Sequence, residues 1–212
     1  SELRWWAEKI AKQGVIAKSN DQYGIAKRQY VTNVSKAREL TSEDLAKVTD
    51  PYTRISLQMQ PAFGLRLEES IKMRPRWADG DDRLFLMDTW TKGGREREIP
   101  ISTPEQRALL DAAKALSGSG SLIPRKMTYV QQLNRFKSQC AKAGIRHVHG
   151  HRHFYAQVRY EQLTGWACPA KGGPTSKQLT PEQKSIDREA RMTITRELGH
   201  GRTQVTATYL GR

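Results

Sequence analysis

Apolar residues recur at helical spacing along most of this chain and alternate only briefly. Ile186, Ala190, Ile194 and Leu198 fall every four residues, which predicts an amphipathic helix that opens at the capping box Thr180-Pro181-Glu182-Gln183 and stops at Gly199. Thr203 is placed to cap a short following helix that carries Tyr209. The box Thr103-Pro104-Glu105-Gln106 starts a helix with Leu109, Leu110, Ala113 and Leu116 inward. Thr128 starts another, with Val130, Leu133, Phe136 and Cys140 inward and an end at Gly144. Earlier, Thr41-Ser42-Glu43-Asp44 opens a helix, and Asp50-Pro51 closes it and begins the next. Pro61 is expected to interrupt that helix, because proline lacks the N–H and crowds the preceding turn. A restart from Phe63 then puts Arg66 at a helix beginning. The stretch from His147 to Phe154 leads into a helix reaching about Leu163, and 164–179, rich in Gly, Pro, Ser and Lys, reads as a surface loop.

Two short runs, 84–90 and 95–101, flank Lys92-Gly93-Gly94, a β-hairpin signal with Lys92 at the tip. The expected fold class is therefore α+β, mostly helical, with a small antiparallel sheet. At the start, Leu3, Trp6, Ala7 and Ile10 mark one face of a helix over 2–13, stopped by Gly14, and 15–38 is a polar, basic connector. A lone helix with two tryptophans needs a partner, so 1–38 is expected to be the end of another domain's last helix plus a linker, and 39–212 a separate globular domain.

Composition changes the picture in one respect, the charge. The 212 residues carry 36 Lys plus Arg against 22 Asp plus Glu, a formal charge of +14, so an anionic partner is expected. Nucleic acid fits because phosphates reward cationic contacts through counterion release; a membrane surface is the competing partner. No long apolar run and no signal-like segment is present, so the expected location is cytoplasmic. Cys140 and Cys168 have neither disulfide-framework nor metal-knuckle spacing and read as reduced thiols.

The chemistry-bearing residues occur in a set order. Arg66 lies in Gly-Leu-Arg-x-x-Glu, Lys92 on the hairpin, His149 and Arg152 in His-x-x-Arg, and His200 in Leu-Gly-His, with Tyr209 nine residues further on. This pattern resembles the tyrosine recombinases, the phage-type integrases, over roughly 40–212, and within them the integrases of proteobacterial prophages and integrative elements. The resemblance implies the DNA breaking-and-rejoining catalytic fold, with 1–38 as the end of a core-binding domain. It also implies double-stranded DNA attachment sites as partner, a homotetramer on DNA in the full-length protein, a nucleoid-associated location, and no metal or other cofactor.

The residue types suit that reaction in their own right. Phosphodiester cleavage needs positive charge on the non-bridging oxygens, a nucleophile, and a proton for the leaving oxygen. Arg66 and Arg152 offer forked donors that grip a phosphate bidentately. Tyr209 is the candidate nucleophile; a phenol holds its proton at neutral pH and needs a base, for which His149 is the candidate. Lys92 is the candidate general acid, and His200 a hydrogen-bond donor to a non-bridging oxygen. Glu69 matches the family's acidic position and would orient the site, and His153, in the first helical turn after Arg152, would support it.

Several features strain the match or keep other readings open. His151 stands where the family commonly has an aliphatic residue, 164–179 reads as an inserted loop, and only three residues follow Tyr209, so this chain is expected to be monomeric and weakly active. The histidines at 147, 149, 151 and 153 are a candidate transition-metal cluster, which a helix starting near Gly150 would break. Trp90, Trp166, Tyr155 and Tyr160 are read as packing residues ahead of base-stacking ones. The rival functions are a type IB topoisomerase, a DNA-binding module without catalysis, and a basic adaptor.

Overall fold

A computed structural model describes residues 2–27 and 29–212. They divide into two compact units, 1–30 and 31–212. In the first unit, helix α1 (Glu2–Lys9) is followed by 3₁₀ turns at Gln13–Val15 and Asp21–Tyr23. The helix ends before Gly14, because Ala11 turns left-handed at φ 53. Arg4 donates to the Ala17 carbonyl and the Asn20 side chain, folding the turns back on α1. Ala7 is buried, while Trp5 and Trp6 are exposed.

The second unit is built from nine helices, α2 (Ser42–Ala46), α3 (Pro51–Phe63), α4 (Leu67–Lys72), α5 (Pro75–Ala78), α6 (Pro104–Ser117), α7 (Tyr129–Lys142), α8 (Gly150–Thr164), α9 (Pro181–Glu197) and α10 (Thr203–Leu210), among its described residues. Strands β1 (Arg83–Leu86) and β2 (Arg97–Pro100) pair antiparallel, with Leu84 opposite Ile99. The capping boxes at Thr41, Thr103, Thr128 and Thr180 all form, each threonine accepting from the backbone three residues on. These are local signals, and they hold because nothing distant competes for the same N–H groups.

Helix α3 occupies the centre, packed by α4, α6 and α8, and α8 in turn packs on α9 and α10. Met59, Phe63, Leu65, Leu84, Ile99, Ile194 and Leu198 belong to the larger core. Val48, Leu57, Ile71, Phe136 and Cys140 form a second one beneath α7. Each fully buried side chain of this kind contributes about 2 kcal/mol of transfer free energy.

Five expectations are corrected by tertiary packing. Pro61 does not interrupt α3, which runs on to Phe63; Met59, Gln60 and Phe63 are buried, and that burial outweighs the lost backbone bond. The first strand stops at Leu86, and Asp88–Trp90 is a 3₁₀ turn that buries Trp90. Val130 and Ile186 face solvent, 60% and 41% exposed, so the buried stripes of α7 and α9 start later than predicted. Thr203 is the first residue of α10 and does not cap it; Arg202 holds the cap position without a side-chain bond. The segment 164–179 is not surface throughout, since Cys168, Ala170 and Leu179 are buried around a 3₁₀ turn at Pro169–Lys171. Tyr155 and Tyr160 are core residues, and Trp166 packs against that core.

Gly64 ends α3 at φ 60, and a Cβ there would lie 2.5 Å from the Tyr155 ring. Gly64→Ala therefore meets a left-handed backbone and an occupied site together, and is expected to cost about 3 kcal/mol in urea denaturation. A loss below about 0.5 kcal/mol would show that neither constraint holds.

Candidate active site

The site forms where the ends of α3 and α9 meet the starts of β2, α4 and α8. Arg66 is the cap residue of α4, extended at ψ 156 because Gly64 has just turned the chain. Its backbone N–H donates to Glu69 Oε2 at 2.7 Å and its Nη1 to Glu69 Oε1 at 2.7 Å, which points the guanidinium across the helix start. Glu69 has no exposed surface. Burial alone would raise its pKa, but paired bonds from Arg97 Nη1 and Nη2 at 3.1 and 2.6 Å, the Arg152 charge at 3.8 Å and the Arg66 N–H outweigh it and hold the carboxyl at about 2.

Arg152, in the first turn of α8, is 1% exposed. Nη1 donates to the Gly64 carbonyl and Nη2 to the Leu198 carbonyl. These are the end carbonyls of α3 and α9, so two negative helix ends face this cation. Burial, then the Arg66 charge, lowers its pKa to about 10, which still leaves it charged at neutral pH.

Tyr209 is carried by α10 and is 6% exposed. Its hydroxyl lies 3.2 Å from His149 Nε2. The ring packs 4.3 Å from His153, stacks 5.3 Å from His200, and has the Arg152 guanidinium carbon 5.9 Å from its centre. Its backbone is held as well, with Gln157 Nε2 donating to the Tyr209 carbonyl and Ser35 Oγ donating to Gln157 Oε1.

His149 precedes α8 and keeps much of its residue surface in solvent, but its ring edge is covered by Tyr209. That lost hydration, then the Arg152 and Arg66 charges, lowers its pKa. Burial also brings His153 to about 4, with His149, Lys36 and Arg152 adding to the effect. His200 falls to about 3 through burial and the charges of Arg152, Arg66 and Arg97. Its Nε2 is 3.3 Å from Arg152 Nη2 and its Nδ1 3.1 Å from Thr206 Oγ1. Gly199, at φ 64, lets the chain turn into His200 with Arg97 Cδ 3.0 Å from where a Cβ would sit.

Arg66, Glu69, His149, Arg152, His153, His200 and Tyr209 thus come together. Lys92 does not: it is exposed on the 91–94 turn, which Thr91 closes through bonds to Asp88 and Arg95. His151 is buried, with Nδ1 2.9 Å from the Arg38 carbonyl, and so fills its unusual position as a hydrogen-bonded core histidine. Among the described residues no three His, Cys, Asp or Glu side chains are arranged to hold a metal.

Arg97, missed in the sequence, is central to the cluster. It is 7% exposed and adds a bond from Nε to the Glu197 carbonyl at 2.9 Å, tying β2 to the end of α9. Alternation places it in phase with buried Ile99, and a charge in phase with the inward face of a hairpin was the available signal.

A family model for integrases matches residues 26–158. The chain belongs to the integrase family. The family match includes Arg66, Lys92, His149 and Arg152, while His200 and Tyr209 lie beyond it. Similar solved structures include the XerH site-specific recombinase bound to palindromic difH substrate in a post-cleavage complex, at 14% identity and TM-score 0.48, over 88% of this chain and 51% of that one. The pre-cleavage complex of XerH with difH gives 14% and 0.47, over 83% and 50%. An integrase from mycobacterium phage Brujita gives 15% and 0.45, over 100% and 74%. This chain therefore spans about half the length of the XerH chains. No curated protein matches it.

Removing Arg97 leaves Glu69 buried with its strongest partner gone. Arg97→Met is expected to cost about 3 kcal/mol by urea denaturation, and a loss under about 1 kcal/mol would mean that Arg66 and Arg152 suffice. His153 and His200 stay neutral in the folded site down to about pH 4 and 3, whereas unfolded histidine takes up its proton below about 6.5. Stability is therefore full well above pH 6.5 and falls as pH is lowered through that window, by about 2.5 kcal/mol for each histidine and about 5 kcal/mol for the two between pH 7 and 4.5. The double variant His153→Gln, His200→Gln should flatten this slope, and an unchanged slope would place its origin elsewhere.

Proposed function

We propose that this chain carries the catalytic domain of a site-specific DNA recombinase, an integrase of a mobile element, that cuts and rejoins DNA through a 3′-phosphotyrosyl intermediate at Tyr209. The observation that carries this reading is the Tyr209 hydroxyl 3.2 Å from His149 Nε2, beside a guanidinium cluster inside an integrase-family chain. On this reading residues 39–212 are the catalytic domain and 1–38 the end of a core-binding domain and its linker. The partner is duplex DNA at attachment sites, and the full-length protein works as a homotetramer on it in the bacterial cytoplasm. No helix among the described residues is long and apolar enough to cross a membrane.

His149 accepts the phenol proton as Tyr209 Oη attacks the scissile phosphorus. The P–O5′ bond breaks, and the departing oxygen takes a proton from Lys92 when the hairpin closes on DNA. Arg66 and Arg152 neutralise the phosphate, so their charge does what a metal would otherwise do. In resealing, a second strand's 5′-hydroxyl gives its proton to Lys92 and attacks the phosphorus, the P–O bond to Tyr209 breaks, and the departing phenoxide takes its proton back from His149, with no need of ATP. Arg152 is covered by Tyr209 in this state, so bound phosphate must shift that ring and replace the Leu198 or Gly64 carbonyl.

The test is formation of a denaturant-resistant adduct on nicked duplexes from candidate element ends, with EDTA present. The chain is expected to form the adduct and Tyr209→Phe to form none; Lys92→Ala should slow it and a 5′-thio leaving group should restore the rate. Binding without an adduct, in a chain extended at both ends, would leave a DNA-binding module as the function.

A further inference from the structure

Two threonines outside the expected machinery bear on how His200 acts. Thr195 Oγ1 lies 2.6 Å from the Arg191 carbonyl, Thr206 Oγ1 lies 2.7 Å from Thr195 Oγ1, and His200 Nδ1 lies 3.1 Å from Thr206 Oγ1. Oxygen pairs this close each need a proton between them. A carbonyl only accepts, so the first proton is Thr195's. Thr195 has then spent its proton, so the second is Thr206's. Thr206 has then spent its own, and the third belongs to His200 Nδ1. Thr206 is fully buried and Thr195 nearly so, which leaves no room for bulk water to supply another donor.

We infer that Thr195 and Thr206 are positioning residues that hold His200 in its Nδ1–H form, so that Nε2 faces Arg152 as a bare acceptor. The far side of the ring agrees, because Arg152 Nη2, a group that only donates, sits 3.3 Å from Nε2. A protonated Nε2 would set two donors against each other in a buried site, and the depressed pKa of the ring keeps the second proton off at neutral pH. His200 in the free protein therefore orients Arg152, fixing the Nη2 that also bonds Leu198. That differs from donation to a phosphate oxygen, the role expected from sequence. The relay itself is a property of the folded chain; its effect on DNA cleavage rests on the recombinase reading above.

Nitrogen NMR of the chain isotope-labelled at histidine separates the two, since it needs no DNA and no activity. The His200 signals, assigned by their loss in His200→Gln, should show Nδ1 protonated and Nε2 bare. Thr206→Val, which keeps the shape and removes the oxygen, should bring in the Nε2–H form, and Thr206→Ser should restore the parent pattern. An Nε2–H ring in the unmodified chain overturns the inference. So does a Thr206→Val spectrum identical to the parent, since Arg152 alone would then set the ring. In the adduct assay Thr206→Val should slow cleavage about tenfold, the scale of one misdirected hydrogen bond, with Thr206→Ser close to the parent rate. If no variant cleaves DNA, the recombinase reading falls while the NMR result still decides the relay.

Discussion

A carboxylate with no water around it is tolerable only where cations replace its hydration, and Glu69 recruits them from three separate elements. Arg66 comes from its own helix start, Arg97 from β2 and Arg152 from α8. The dependence runs both ways: three guanidinium groups this close repel one another, and without the carboxylate between them they would drive β2, α4 and α8 apart. Glu69 therefore sets the mutual positions of groups that belong to distant parts of the sequence. The carbonyl ends of α3 and α9 then complete the enclosure around Arg152, with backbone dipoles supplying negative character that a second buried acid would supply at a higher desolvation cost.

Much of this was legible in the sequence, and the legible parts share a cause. The four threonine boxes, the stops at Gly144 and Gly199 and the Lys92 turn are short-range signals, decided by a handful of neighbouring residues. The candidate site residues from Arg66 to Tyr209 were legible as an ordered pattern, and seven of the eight come together around Glu69 and the Tyr209 ring, His149 among them through its 3.2 Å contact, while Lys92 stays apart. What escaped depends on contacts across the chain. Pro61 stays helical because of what its neighbours bury, and Val130 and Ile186 face out because the core begins a turn further along.

Arg97 and Thr206 escaped for a different reason. The run Arg95-Glu96-Arg97-Glu98 reads as solvated charge, and only the phase that Arg97 shares with Ile99 sets it apart until Glu69 is placed beneath it. A threonine in a short helix reads as a neutral residue until a histidine arrives at its hydroxyl. Both are supporting groups whose meaning lies in a partner outside their own element, 28 residues away for Arg97 and six for Thr206, whereas Arg66 and Glu69 interpret each other within one turn.

The order in which the site is assembled has its own consequence, because α10 is made after every other element described. During synthesis Arg66, Glu69, Arg97 and Arg152 leave the ribosome well before Tyr209 does, and domains condense as their segments emerge. Until α9 ends and α10 docks, Arg152 lacks the Leu198 carbonyl, the His200 ring and the Tyr209 ring that cover it. The arginine cluster then stands open on one side, with Glu69 as its counter-charge and no aromatic ring over Arg152. Docking of α10 closes that cluster and brings the Tyr209 phenol beside His149 in the same event, so the cover over the arginines and the histidine–phenol contact arise together.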